Sequence, residues 1–437
     1  MTARSLFGTD GVRGPAGELL TAELALRLGR AAASLADVAR PRALIIRDTR
    51  ESGPALATAL AAGLASAGAD VQLGGVAPTP AAAMAVLRHG HDLAAVISAS
   101  HNPYGDNGIK FFGPDGHKLS DEQEAAIESR LGEPGTGALF GTVTESRDAL
   151  DGYVRTLSER YADLDLHGLR IALDCAHGAA FRSAPEVFRS LGADVTVIGD
   201  DPDGRNINAG VGSTHPEALL EAMAAGAHDI GFTFDGDADR VLACDRTGRL
   251  LDGDDLLVLI AGHLARAGRL PGHGVAVTAM SNYGVRAALQ DQGIDLCETA
   301  VGDRYLLAAM RERGWALGAE PSGHLIDLDF APSGDGTAGA LLCLEALGGR
   351  DLADVEPFRR LPQARRNVPV AGPATAAAHP DVRVAVRDIE TTLQGRGRVL
   401  VRPSGTEPLV RVMAEAPSAE EAEAACGALA DVVIACS

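Results

Sequence analysis

Aromatic residues are scarce in this chain: one Trp, five Tyr and ten Phe in 437 residues. Proteins that hold single-stranded nucleic acid by stacking need aromatic platforms, so the composition argues against that class. Positive charge is also short. Thirty-nine Lys and Arg stand against 59 Asp and Glu, a formal net charge of −20. An acidic surface repels nucleic acid and anionic membrane alike, and neither is expected as a partner. No stretch approaches the roughly 18 consecutive apolar residues of a membrane-spanning helix. The opening Met1-Thr2-Ala3-Arg4-Ser5-Leu6 lacks the apolar run of a secretory leader. The six cysteines (Cys175, Cys244, Cys297, Cys343, Cys426 and Cys436) include no C-x-x-C pair. They read as small hydrophobes in a reducing compartment, and a cytoplasmic protein is expected. A chain so poor in cations must make any site for a phosphorylated ligand positive locally.

What the chain has is length, small residues and a repeated pattern. At 437 residues, 46% of them hydrophobic, it exceeds one compact core and suits three or four domains. Heavy use of Ala and Gly predicts close-packed helices and tight turns. Three times a short apolar strand precedes a helix that ends at a glycine, and a second strand follows at once. The first copy runs from Ala43-Leu44-Ile45-Ile46 through a helix over 54–66 to Val71–Leu73. The second runs from Arg170–Asp174 through 184–190 to Val195–Ile198. The third runs from Gly274–Thr278 through 284–292 to Leu296 onward. Each is a right-handed β-α-β unit with parallel strands. The expected class is therefore α/β: three related domains with parallel-containing sheets (1–150, 151–252 and 253–365). A smaller α+β domain (366–437) follows, its last two strands Arg398–Arg402 and Leu409–Ala414 leading into a helix capped by Ser418.

Four stretches carry chemistry. Strand-like Leu93–Ile97 runs into Ser98-Ala99-Ser100-His101-Asn102-Pro103, and Gly105-Asp106-Asn107-Gly108 reads as turn chemistry ahead of Lys110. A serine thus sits in a loop at the mouth of a strand, with a lysine ten residues on. Phe232-Thr233-Phe234 runs into Asp235-Gly236-Asp237-Ala238-Asp239-Arg240. Alternate residues of an extended segment face one way, so three carboxylates converge. Hard oxygen donors suit Mg²⁺, and the glycine and glutamate of a Ca²⁺ loop are missing. Glu320-Pro321-Ser322-Gly323-His324 offers a carboxylate, a hydroxyl and an imidazole from one turn, a fork suited to sugar hydroxyls. Arg402-Pro403-Ser404-Gly405-Thr406-Glu407-Pro408, with Arg411 one strand on, has the guanidinium, hydroxyls and bare backbone of a phosphate clamp. Near the start, Phe7-Gly8-Thr9-Asp10-Gly11-Val12-Arg13-Gly14 is glycine-rich but lacks the Gly-Lys-Ser/Thr ending of a P-loop.

Together these motifs resemble those of the α-D-phosphohexomutases over essentially the whole chain. FGTDGVRG, SASHNP with NGIKFFGPDGHKLS, PDGRNIN with GSTHPE, DGDADR, EPSGH and RPSGTEPLVRVMAE stand in the family's order. The resemblance implies that Ser100 is a phosphoserine that donates and recovers the phosphoryl group. It implies that Asp235, Asp237, Asp239 and an oxygen on Ser100 hold one Mg²⁺ per chain. Lys110 and His324 are then candidates for general acid and base, and Arg13, Arg240 and His101 stand near the serine. Glu320 and Ser322 would hold sugar hydroxyls. Arg402, Ser404, Gly405, Thr406 and Arg411 would grip the phosphate that is not reacting. The implied partner is a small hexose or hexosamine phosphate, with a sugar 1,6-bisphosphate as intermediate and activator and a homodimer as the possible assembly.

The form of the first, third and last motifs implies the amino-sugar branch, which supplies cell-wall precursors. Pro321 stands where that branch usually has Gln, and Ala319 and Ala238 where Gly is usual. The alternatives are the glucose and mannose branches and, from a different class, a non-catalytic sugar-phosphate binding protein. A serine hydrolase is disfavoured: no G-x-S-x-G elbow is present, and adjacent Ser100 and His101 point apart if the segment is extended.

Overall fold

A computed structural model describes residues 6–8, 10–36, 38–133, 140–404 and 407–436. It divides into two compact units. One comprises Met1–Met280 with Ile294–Glu356, the other Ser281–Gly293 with Pro357–Ser437.

The first unit holds three sheets built on one plan. In the first sheet, Arg42–Arg47 lies between parallel neighbours Asp70–Val76 and Leu93–Ile97. Strand Leu93–Ile97 then turns back antiparallel into Asp106–Phe112, which pairs in turn with Val12–Pro15. In the second, Arg170–Asp174 lies between parallel Asp194–Ile198 and Ile230–Phe234, and the latter turns back into Val241–Asp245. In the third, Gly274–Thr278 lies between parallel Asp295–Thr299 and Leu317–Ala319, and the latter turns back into Leu325–Asp327. The expected β-α-β units are all present. Each is extended by a hairpin whose loop leaves the C-terminal end of a parallel strand, where ligands bind in open α/β sheets. The three hairpin loops are residues 98–105, 235–240 and 320–324. They contain the serine, the three aspartates and the Glu-Pro-Ser-Gly-His turn.

Two local expectations are corrected here. Asp106-Asn107-Gly108 is not a turn but the start of strand Asp106–Phe112, with Gly108 opposite Arg13. Glycine is needed there for contact, since a Cβ would lie 2.4 Å from the carbonyl oxygen of Ser98. The aspartates are not on an extended segment either. The strand stops at Phe234, and the loop turns through a left-handed Ala238 (φ 58°). The turn, not side-chain alternation, brings the carboxylates together.

Small residues do what their abundance predicts. Helices Ala22–Ala33 and Gly53–Ser66 pack so closely that a Cβ on Gly29 would lie 2.3 Å from the Leu60 carbonyl oxygen and one on Gly63 2.0 Å from that of Leu26. Cys175, Cys244, Cys343 and Cys426 are buried, and all six cysteines are free thiols.

The second unit carries a three-stranded antiparallel sheet ordered Gln363–Pro369, Leu409–Glu415, Arg398–Pro403. Helix Ala419–Ala435 begins at Ser418, whose hydroxyl accepts from the Glu421 amide at 3.1 Å. The outer strand Gln363–Pro369 runs across the expected boundary at 365/366. Its ladder with Leu409–Glu415 is continuous, and Ala364 and Val368 are buried in the core of this unit. No helix among the described residues is long and apolar enough to cross a membrane.

Candidate active site

Ser100 lies just past the first hairpin's parallel strand, only 1% exposed and with a left-handed backbone (φ 52°). Its Oγ donates to Asp235 Oδ2 at 2.5 Å and lies 3.3 Å from His101 Nδ1. The loop is turned rather than extended, so Ser100 and His101 do not point apart as an extended segment would have them. Arg13 pairs with Asp10 and reaches the Ala99 carbonyl at 3.5 Å.

The second hairpin loop presents its acids to the first. Asp235, Asp237 and Asp239 are all buried, and each offers a carboxylate oxygen within 4.8 Å of the others. Asp237 Oδ2 accepts from Thr79 Oγ1 and from Lys110 Nζ, both at 2.6 Å. Lys110 Nζ also lies 3.6 Å from Asp239 Oδ2 and 4.0 Å from Asp10 Oδ2. Among the described residues, Asp237 Oδ1 and Asp239 Oδ1 are buried without a hydrogen-bond donor. Orphaned buried carboxylate oxygens are costly unless a cation meets them. The donor set, all hard oxygen, fits a divalent metal ion.

The third hairpin loop closes the group. His324 is buried, its Nδ1 3.6 Å from Asp239 Oδ1 and its Nε2 3.9 Å from Asp303 Oδ2. Asp303 also holds Lys118 Nζ at 2.6 Å, and Lys118 in turn reaches Asp10. Arg240 donates its amide to Asp235 Oδ1 at 3.2 Å, and its Nε lies 3.8 Å from Asp239 Oδ1. Glu320 Oε1 accepts from the Gly302 amide at 3.3 Å, and the buried Ser322 hydroxyl has no hydrogen-bond partner among the described residues. Pro321 fits the turn because only its carbonyl is used, accepting from the Gly253 amide at 3.2 Å.

The charges shift one another. Burial, then Asp239 and Asp237, push the Asp235 carboxyl well above the ordinary range. Burial and Asp239 also raise Asp237, but the charge and hydrogen bond of Lys110 together with the Thr79 hydroxyl outweigh them, and the net shift is downward. Burial opposes ionisation of Asp239 too, and Lys110, His324 and Arg240 overcome it, holding that carboxyl well below the usual range. Burial disfavours charge on Lys110, yet Asp10, Asp237 and Asp239 raise it above a free lysine. His324 is raised likewise, burial being outweighed by Asp239 and Asp303. His101 moves the other way, lowered by burial and then by Arg240 and Arg13.

Ser100, His101, Lys110, Arg13, Arg240, Asp235, Asp237, Asp239 and His324 are therefore linked through one network of contacts. The residues not singled out from sequence are Asp10, Lys118, Asp303 and Thr79. Asp10 and Lys118 lie inside the quoted motifs. Asp303 opens helix Asp303–Arg313 and has no local signature. In the second unit, Arg402 pairs across strands with Arg411, whose guanidinium meets Glu407 at 3.0 Å. The Ser404 amide donates to the Leu409 carbonyl at 2.9 Å. Gly405 and Thr406 lie outside the described residues.

The contact between the first two loops yields a prediction. A Cβ on Gly236 would sit 2.5 Å from the Ser100 carbonyl oxygen and 2.9 Å from Asn208 Nδ2. Gly236→Ala should separate the loops and lower kcat by about 100-fold, since misplacement near 1 Å costs that much. Steady-state kinetics beside a circular dichroism spectrum checks this, and an unchanged kcat would mean the loops need not touch.

Comparison with known proteins adds to this geometry. Four models of phosphoglucomutase/phosphomannomutase match in order: alpha/beta/alpha domain I over residues 4–136, domain II over 151–248, domain III over 252–357 and the C-terminal domain over 366–432. A phosphoglucosamine mutase of Paenarthrobacter aurescens is 50% identical over 98% of this chain and 97% of its own. One from Geobacillus thermodenitrificans is 46% identical over 98% of both. Among solved structures, a phosphoglucomutase/phosphomannomutase family protein of Burkholderia thailandensis matches with TM-score 0.83 at 24% identity, over 100% of this chain and 98% of that one. Aspergillus fumigatus N-acetylphosphoglucosamine mutase, solved with GlcNAc-6P and magnesium, matches with TM-score 0.70 at 20% identity, over 99% of this chain and 96% of that one.

Proposed function

Because the chain belongs to the phosphoglucosamine mutase family, with all four phosphoglucomutase/phosphomannomutase domains in order, we infer that it is an isomerase interconverting glucosamine 6-phosphate and glucosamine 1-phosphate. The observation that carries this reading is the Ser100 hydroxyl 2.5 Å from Asp235, within a buried group of three carboxylates and Lys110.

The chemistry follows from the charges. A phosphoserine at position 100 carries close to two negative charges, which Arg13, Lys110, Arg240 and His324 are placed to offset. Asp235, Asp237, Asp239 and an oxygen on Ser100 would hold Mg²⁺, which when bound supplies positive charge to a phosphoryl oxygen. In the first half-reaction the P–O bond to Ser100 breaks and a P–O bond forms to the free sugar hydroxyl. A proton leaves that hydroxyl and one arrives at Ser100 Oγ. Lys110 and His324 are the proton carriers: one gives its proton to Ser100 Oγ, and the other, in its neutral form, takes the proton that leaves the sugar hydroxyl. The proton delivered to Ser100 in one half-reaction is the proton withdrawn in the next, so the acid of the first is the base of the second. The sugar 1,6-bisphosphate between the halves must present its other phosphate to Ser100. Glu320 and Ser322 hold the sugar hydroxyls. The segment from Pro357 on, with Arg402, Ser404, Gly405, Thr406 and Arg411, grips the phosphate that is not reacting.

The test is kcat/KM for glucosamine 6-phosphate against glucose 1-phosphate and mannose 1-phosphate, with Mg²⁺ and a trace of sugar 1,6-bisphosphate. A preference for the amino sugar of about 100-fold or more is expected, about 2.7 kcal/mol in transition-state binding. Comparable rates with glucose or mannose would overturn the amino-sugar assignment.

A further inference from the structure

Beneath the serine loop lies a buried ion pair that no part of the proposed chemistry uses. Arg50 and Asp48 follow strand Arg42–Arg47, and both side chains are fully buried. Arginine is rarely enclosed so completely unless its donors are all met. Here Nε donates to Asp48 Oδ2 at 2.8 Å. The two remaining nitrogens then reach four backbone carbonyls, three in the serine loop and one at the first residue of the strand that follows it. Nη2 donates to Ser100 at 2.9 Å and Asn102 at 2.8 Å, and Nη1 to Asp106 at 2.9 Å and to Pro103.

The pair reaches Ser100 from its amide side as well. Asp48 Oδ2 accepts from the Ser98 hydroxyl at 2.6 Å, and Ser98 Oγ accepts from the Ser100 amide at 2.9 Å. Both backbone polar groups of Ser100 are thus tied to Asp48 and Arg50. From the second sheet's domain, Asn208 Nδ2 donates to the same Ser100 carbonyl at 2.9 Å and to Asn102 at 3.1 Å. A non-glycine residue with φ near +52° is in a costly conformation that persists only where its surroundings over-determine it. We propose that Arg50 is a positioning residue for phosphoryl transfer, acting with Asp48 and Ser98 to hold Ser100 in its left-handed backbone so that Oγ faces Asp235. Arg50 does not touch the reacting atoms. Its planar fork is the only side-chain shape that can bind Asp48 and bridge several carbonyls at once.

This inference rests on Ser100 being the phosphate acceptor, so that is read first. Wild-type enzyme is incubated with glucose 1,6-bisphosphate, and phosphate on Ser100 is followed by intact mass and peptide mapping. Absence of label on the wild type would sink the proposed function itself. Given labelling, Arg50→Lys keeps the charge beside Asp48 but cannot span the loop. It should slow both Ser100 labelling and kcat by about 100-fold, with KM changing less than about threefold. Ser98→Ala, a smaller change that removes only the link to the Ser100 amide, should slow labelling by about tenfold and decides the matter if Arg50→Lys does not fold. A purely structural role would lower Tm and the folded fraction while leaving the labelling rate per folded molecule unchanged. Folded variants that label within threefold of wild type would overturn the proposal.

Discussion

Ser100→Ala is expected to lower turnover by at least about 10⁴-fold, the scale seen when a covalent nucleophile is removed, while Tm stays within about 3 °C of wild type. The small stability change follows from what the substitution touches. The backbone ties to Arg50, Ser98 and Asn208 use the amide and carbonyl, which alanine keeps. The left-handed conformation is about as costly for Ala as for Ser. What disappears is one hydroxyl donating to Asp235. The large activity change follows because, under this reading, the Ser100 hydroxyl on Asp235 is the group that takes and returns the phosphoryl group. The measurement is kcat with saturating sugar 1,6-bisphosphate, alongside intact mass to show that the variant no longer takes phosphate. A variant that turns over near the wild-type rate would end the phosphoserine reading. A wild type that binds sugar phosphate with no turnover would leave a binding protein.

Most of this site was legible in the sequence, and the parts that were not share a cause. The parallel strands announced themselves because each is a continuous apolar run followed by a helix and a glycine, as at Ile45-Ile46 and Leu173. The first hairpin did not, because its return strand begins with turn-like residues. Asp106-Asn107-Gly108 reads as a loop until Gly108 is seen pressed against Ser98. Once the hairpins are in view, the serine, aspartate and Glu-Pro-Ser-Gly-His loops occupy one topological position in three sheets. Their convergence is then a property of the repeated fold rather than of three separate motifs. Asp303 was out of reach, since nothing local distinguishes it from any acid in a first helical turn. Strand Gln363–Pro369 hid because Arg365, Arg366 and Asn367 are consecutive and exposed, which erases the period of two. Helix Pro380–Leu393, by contrast, carries a readable signal in Val382, Val386, Ile389 and Leu393.

Lys110→Met should move two readouts in opposite directions. Lys110 is 2% exposed and sits among Asp237, Asp239 and Asp10, so in the metal-free enzyme it is a resident cation of the carboxylate group. Methionine keeps the length and apolar stem and removes the charge. Turnover should fall by about 10³-fold, within the range for loss of a general acid–base group. Divalent metal affinity should rise by about tenfold. A unit charge about 4 Å away is worth at most a few kcal/mol at the effective dielectric of such sites, and a third of that suffices. Metal-free protein should also lose several degrees in Tm, because removing one partner leaves buried carboxylates uncompensated. Added Mg²⁺ should recover most of that loss, since tighter binding to the folded state raises its stability by linkage. Calorimetric titration with Mg²⁺, thermal melts with and without the ion, and kcat at saturating metal separate the possibilities. If affinity falls along with kcat, Lys110 organises the carboxylates rather than competing for them. If neither changes, the lysine is a bystander and the proton must be carried by His324 alone.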